Sequence, residues 1–230
     1  MHYYLNLMKP HTGLLLLTVF VIVLLCFAFT IAKPTNTVYR TRIKQEKAVK
    51  RIIPIESTSV VHRVDIKKEE AVSRIADYIG DENSELQDEE VRTISEMVYD
   101  ESMRCNVDYR LILALIKIES NFRYDAVSNQ GARGLLQVKP SFARYIAEDV
   151  GIGWRGDKTL DEPEQNIKIG VHVFSKLIED FQSINMALHA YHVGPTRLRE
   201  ILTKKKMPRK HYLNLVLDEY DRNISLLPAP

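Results

Sequence analysis

The sequence predicts a mainly α protein, with one compact helical domain behind an apolar N-terminal segment and a linker. Three observations carry that prediction. From about residue 85 onward, apolar residues recur every three or four positions, as on one face of a helix. Few runs alternate with period two, so little strand is expected. Pro140, Pro163 and Gly194-Pro195 fall at the ends of the periodic stretches, as helix starts and stops. The 230 residues suffice for one domain plus extensions.

Residues 1–12 form a short leading segment. Gly13 to Ala32 is a run of twenty residues without a charged side chain. At about 1.5 Å per residue it would cross the ~30 Å core of a bilayer. A signal peptide cut after Thr30-Ile31-Ala32 is the competing reading. The run exceeds the ~7–15 residues of a signal core, which favours an uncleaved transmembrane anchor. Lys33, Arg40, Arg42, Lys44, Lys47, Lys50 and Arg51 follow the span, and only Lys9 precedes it. Charge alone would therefore leave the C-terminal part in the cytoplasm. Residues 33–84 read as a linker broken by Pro34 and Pro54. Within it, residues 66–79 form one short amphipathic helix through Val72, Ile75, Ala76 and Ile79.

Residues 85–230 hold the domain, with roughly seven helices. The first carries Val91, Ile94, Val98 and Glu101 on one face. Asp108 caps a second that ends at Glu119-Ser120. Pro140 opens a helix through Phe142, Tyr145 and Ile146. Pro163 opens another, with Ile167, Val171, Phe174, Leu177, Ile178 and Phe181 turned inward. Ser183 caps the next, and Gly194-Pro195 ends it. The last carries Leu213, Leu217, Tyr220, Ile224 and Leu227 as its stripe.

The net charge of +2 gives no global field for nucleic acid. Of two cysteines, Cys26 lies in the apolar run and Cys105 outside it, so no disulfide framework exists.

Glu119 closes the apolar run Leu111 to Ile118. Ile112, Leu115 and Ile116 lie at i−7, i−4 and i−3 from it, on its own side of the helix. Burial and the negative end of a helix both favour the neutral carboxyl. One reading is a Glu that ends a core helix and turns into water. The other is a carboxyl kept apolar for proton transfer. A tight turn at Gly131-Ala132-Arg133-Gly134-Leu135-Leu136-Gln137 follows, able to present backbone groups and the Gln137 amide. A third element is Ala190-Tyr191-His192-Val193-Gly194.

Together, Glu119-Ser120, Gly134-Leu135-Leu136-Gln137, Asn166 and Ala190-Tyr191-His192-Val193-Gly194 resemble the motifs of the lytic transglycosylases of the soluble lytic transglycosylase-like (SLT-domain) family. These glycosidases have a lysozyme-like fold. The resemblance spans residues 88–222. It departs at His192, where the family usually has Asn.

The resemblance implies cleavage of the β-1,4 bond between N-acetylmuramic acid and N-acetylglucosamine in peptidoglycan. It implies Glu119 as a single acid, then base. Protonated Glu119 gives its proton to the leaving oxygen. It then takes one from the C6 hydroxyl of the muramic sugar, closing a 1,6-anhydro ring. By the same resemblance Ser120, Gln137, Tyr191 and His192 contact substrate or orient Glu119, while Asn166 is structural. No cofactor is implied. His189 and His192 lie i, i+3 on a helix, but no third ligand at metal spacing accompanies them. A goose-type lysozyme-like hydrolase and a weakened peptidoglycan-binding scaffold are the alternatives. The expected partners are glycan strands, the inner membrane through residues 13–32, and cell-wall or secretion machinery. A substrate outside the cytoplasm places the domain in the periplasm, against the charge rule.

Overall fold

The computed structural model describes the backbone from Ile55 and the side chains from Ile66, both through Pro230. The leading segment, the apolar run 13–32 and the first part of the linker lie outside the described residues. Within the described residues, no helix is long and apolar enough to cross a membrane. Residues Val61–Pro230 form one compact unit.

That unit is mainly α, as the sequence predicts. Its helices are α1 (Ile55–Glu82), α2 (Asp88–Arg104), α3 (Tyr109–Ser120), α4 (Pro140–Asp149), α5 (Pro163–Phe181), α6 (Ile184–Val193), α7 (Pro195–Thr203) and α8 (His211–Leu226), with a 3₁₀ turn at Asp157–Asp161. The extended pairing among the described residues is two isolated antiparallel bridges, Val127 with Arg133 and Arg133 with Val138.

The centre of the fold is α3. The Asp108 side chain accepts from the Arg110 N–H at 2.9 Å and so starts the helix where expected. Leu111 through Ile116 are all buried, because α2 and α8 both pack on this helix. Each such aliphatic side chain is worth roughly 1.5–3 kcal/mol of burial. The helix ends on two consecutive left-handed residues, Asn121 (φ 52°) and Phe122 (φ 60°). Phe122 is fully buried and meets the edge of Tyr78 at 5.9 Å. Burial of the ring offsets the cost of its backbone conformation.

Proline starts α4, α5 and α7, where a missing N–H costs nothing. Ser183 caps α6 by accepting from the Met186 N–H. Gly194 (φ 88°) turns the chain from α6 straight into α7, a helix the sequence reading did not separate. The face Val91, Ile94, Val98 and Glu101 of α2 is buried as expected.

Three expectations change. Helix α1 runs 28 residues, far beyond a short helix over 66–79, and its end belongs to the core rather than to a linker. Ile75 and Ile79 are fully buried, and the Tyr78 hydroxyl donates to Glu219 on α8 at 2.8 Å. Helix α4 buries Ala143 and Ala147, leaving Tyr145 78% and Phe142 41% exposed. Small residues let α4 lie close to α5. Helix α8 buries Tyr212, Leu213, Val216 and Asn223, while Ile224 is exposed. Its inward face is rotated from the expected stripe because α3 offers polar partners. The Asn223 amide donates to the Arg110 carbonyl at 2.9 Å.

Candidate active site

Three helices converge on Glu119. It sits in the last turn of α3, half-buried on the wall of an open cavity of about 640 Å³. The opposite wall is Glu82, Asn83, Ser84 and Glu85, from the end of α1 and the loop after it. From α8, the Tyr212 hydroxyl donates to Glu119 Oε1 at 2.5 Å. Burial pushes the Glu119 carboxyl above its ordinary range, and the Tyr212 hydrogen bond offsets part of that rise. A carboxyl so placed holds its proton more readily than a free one and is still stabilised once the proton leaves.

From α6 come Tyr191 and His192. Tyr191 packs edge-on against Phe174 at 5.8 Å, and its hydroxyl donates to the Leu136 carbonyl at 2.6 Å. Burial, then the nearby Glu119 charge, raises its pKa, which keeps the phenol protonated. His192 lies flat on Tyr212, with ring centroids 4.1 Å apart and planes 14° apart. Although the residue is exposed, partial desolvation of the ring face against its neighbours lowers its pKa, which favours the neutral imidazole. His192 thus touches the residue that touches Glu119.

The 126–138 turn is locked behind Tyr191. Asn166, fully buried on α5, donates to the carbonyls of Arg133 (2.9 Å) and Leu160 (2.8 Å). It also accepts from the Leu136 N–H at 2.8 Å. It is a structural hub, as read from the sequence. Gly134 has φ 73°, and a Cβ there would overlap Asn166 Nδ2 and the Leu160 carbonyl. Arg133 holds Asp161 through two bonds, at 2.8 and 2.6 Å.

The sequence-predicted residues do not all face the cavity in the same way. The Ser120 hydroxyl is buried and donates back to the Ile116 carbonyl at 3.1 Å, so it makes a local helix bond. Gln137 (φ 45°) spends its amide hydrogens on the carbonyls of Ala126 (3.1 Å) and Gly134 (2.9 Å), leaving its oxygen as the group for a ligand. Trp154 packs against the core. His189 is buried, with His192 exposed one turn on, and no cluster of three metal-ligating side chains exists among the described residues. Tyr212 was missed. It lies 93 residues from Glu119, and only its place at the start of the last helix would have signalled it.

A half-buried acid, a tyrosine from each of two neighbouring helices and a hydrogen-bonded Gly-Leu-Leu-Gln turn thus come together in this part of the fold. The family model described as the transglycosylase SLT domain matches residues 96–214, more than half of the chain, and the chain belongs to that family. Among curated relatives, the endo-type membrane-bound lytic murein transglycosylase A of Klebsiella pneumoniae is 43% identical over 76 residues, 31% of this chain and 36% of that protein. The protein of the same description from Salmonella paratyphi B is 35% identical over 140 residues, 54% of this chain and 67% of that protein. The chain thus spans about a third of the length of the Klebsiella relative it matches. Among solved structures, an inactive mutant of the lytic transglycosylase Slt from Pseudomonas aeruginosa aligns with TM-score 0.44 and 26% identity, over 56% of this chain and 21% of that one.

Proposed function

We propose that this chain is a peptidoglycan lytic transglycosylase with a lysozyme-like domain, using Glu119 as its single acid and base. The observation that carries the reading is Glu119 itself, an apolar carboxyl at the cavity wall with a tyrosine hydroxyl on one oxygen. Protonated Glu119 gives its proton to the bridging oxygen as the bond to the muramic sugar breaks. The 2-acetamido group of that sugar assists at the anomeric carbon. Ionised Glu119, stabilised by Tyr212, then takes the proton of the C6 hydroxyl, whose oxygen closes the 1,6-anhydro ring. The nucleophile is already part of the substrate, so a second carboxylate is unnecessary. By the family resemblance, Tyr191 and the free Gln137 oxygen are assigned to contact the sugar.

The curated relatives are membrane-bound by name. With the apolar run 13–32, that supports a single-pass inner-membrane anchor and a periplasmic domain serving the cell wall or a secretion machine. Alkaline phosphatase folds to its active form only outside the reducing cytoplasm, so a C-terminal fusion that is made but stays inactive would sink that placement.

The test of the chemistry is digestion of purified peptidoglycan followed by mass spectrometry. Anhydro-muramyl ends are expected. Reducing ends would make the chain a hydrolase, and no release would make it a scaffold. Glu119→Gln is expected to abolish release with an unchanged circular dichroism spectrum.

A further inference from the structure

Tyr212 must aim its hydroxyl at Glu119 Oε1, where it donates at 2.5 Å. Burial, then the Glu119 charge, holds its pKa far above the ordinary value, so the phenol keeps that proton to donate. Its local footing is weak. It is the second residue of α8, whose first turn holds no acidic side chain and whose N-cap, Lys210, makes no side-chain cap bond. First turns rely on such groups to satisfy their free N–H donors. A phenol that swings out of line loses its bond, because hydrogen bonds weaken steeply with angle.

Helix α6 supplies the missing support. His192 lies flat on the Tyr212 ring, with centroids 4.1 Å apart and planes 14° apart. The turn that carries His192 is itself well held. Ala187 to Ala190 are buried, and the Tyr191 hydroxyl is tied to the Leu136 carbonyl at 2.6 Å. The Gly194 N–H bonds the Ala190 carbonyl at 2.8 Å as the chain enters α7. The imidazole thus stands on fixed backbone and covers one face of the phenol. Asn, the usual residue of the family at this place, has no ring to lay there.

Glu119 faces Tyr212 from α3, His189 and Tyr191 accompany His192 on α6, and Lys210 precedes Tyr212 by two residues. Glu82, Glu85, Lys117 and Arg123 share the cavity with Glu119. A change confined to the His192 ring leaves every one of these groups as it is.

We infer that His192 is a positioning residue, whose ring holds the Tyr212 hydroxyl on Glu119 and which acts on the acid through that bond rather than by touching the sugar. The inference rests on the transglycosylase reading for the duty of Glu119. Loss of the stack costs about two- to tenfold in kcat, the factor an aromatic pair of this kind is worth. It also loosens the bond that favours ionised Glu119, so the carboxyl titrates at higher pH.

The test follows the Glu119 carboxyl in two ways. One is the alkaline limb of the pH–rate profile on soluble peptidoglycan strands. The other needs no substrate: NMR titration of the full chain in neutral detergent with isotope-labelled glutamate, the Glu119 signal being the one lost in Glu119→Gln. His192→Ala and His192→Gln, both checked for folding by circular dichroism, are expected to move both readouts to higher pH. Their kcat falls about two- to tenfold with KM unchanged. His192→Phe keeps a flat ring without a titrating nitrogen, and is expected to bring both readouts back. In the Tyr212→Phe background, His192→Ala is expected to add no further movement, because the bond it supports is already gone. A raised KM with both readouts unmoved overturns the inference and makes His192 a sugar contact. So does further movement in the Tyr212→Phe background, or a His192→Phe that behaves like His192→Ala. A carboxyl titration that moves as expected in a chain that releases no anhydro-muramyl product would sink the transglycosylase reading and leave this one standing.

Discussion

Gly131 and Gly134 separate two costs that usually come together. Both have left-handed backbone, with φ of 76° and 73°. An Ala at either position meets the same backbone strain, roughly 1–2 kcal/mol. At Gly131 the new methyl points into open space. At Gly134 it overlaps Asn166 Nδ2 and the Leu160 carbonyl. Either Asn166 withdraws, losing three hydrogen bonds of about 1 kcal/mol each, or the turn moves at an overpacking cost of about 1–3 kcal/mol. Gly134→Ala should therefore be less stable than Gly131→Ala by about 2–3 kcal/mol. Urea unfolding followed by circular dichroism measures this directly. In thermal melts the gap is about 5–10 °C for a unit of this size. Two variants unfolding within about 0.5 kcal/mol of one another would refute the role given to Asn166 as the hub of the turn.

Tyr212→Phe removes the bond that favours ionised Glu119, so the carboxyl pKa moves further up. The alkaline limb of the pH–rate profile on peptidoglycan should shift to higher pH, and a shift downward would contradict the geometry. Asn166→Leu leaves two carbonyls and one N–H buried without partners, a loss of at least about 3 kcal/mol in denaturant unfolding. Activity per folded molecule should survive it, since Asn166 is placed behind the site. Glu82 pairs with Lys117 and with Arg222, the latter at 2.7 Å. Burial raises its pKa, but the two cations outweigh burial and leave the carboxyl below its ordinary range. A depressed folded-state pKa means stability that is complete above the unfolded value and lost as pH falls through the folded one. Glu82→Gln should remove that part of the acid slope and cost about 1–2 kcal/mol at neutral pH. An unchanged slope in acid unfolding would argue against the pairing.

Much of the site was legible because local chemistry carried it. Asp108 had to cap something, and the run Leu111 to Ile118 told what. Gly134 and Asn166 were placed by motif, and the structure supplies the reason: each occupies the space the other requires. Tyr212 and Asn223 were not legible. A hydrophobic stripe marks a helix but leaves its rotation open by about a residue, and α8 turns to whatever α3 presents. What α3 presents is polar, a carboxylate and a backbone carbonyl, so the inward face of α8 carries a phenol and an amide among its aliphatics. Helix α1 was underread because, among its described side chains, only Ala71 to Ile79 meet the core.

Helix α1 has a geometric consequence of its own. Its last turns are clamped at the cavity wall through Ile75, Tyr78, Ile79 and Glu82, whereas Lys67, Glu69 and Glu70 stand in water. A helix advances 1.5 Å and about 100° per residue. One residue inserted between Glu70 and Ala71 would leave the cavity as it is but swing residues 66–70 of the helix by about 100°. Four inserted residues would bring them back to within about 40°, roughly 6 Å further out. The direction in which the cavity opens, relative to the largely exposed residues 66–70 of α1, is therefore a matter of helical phase and comes in steps.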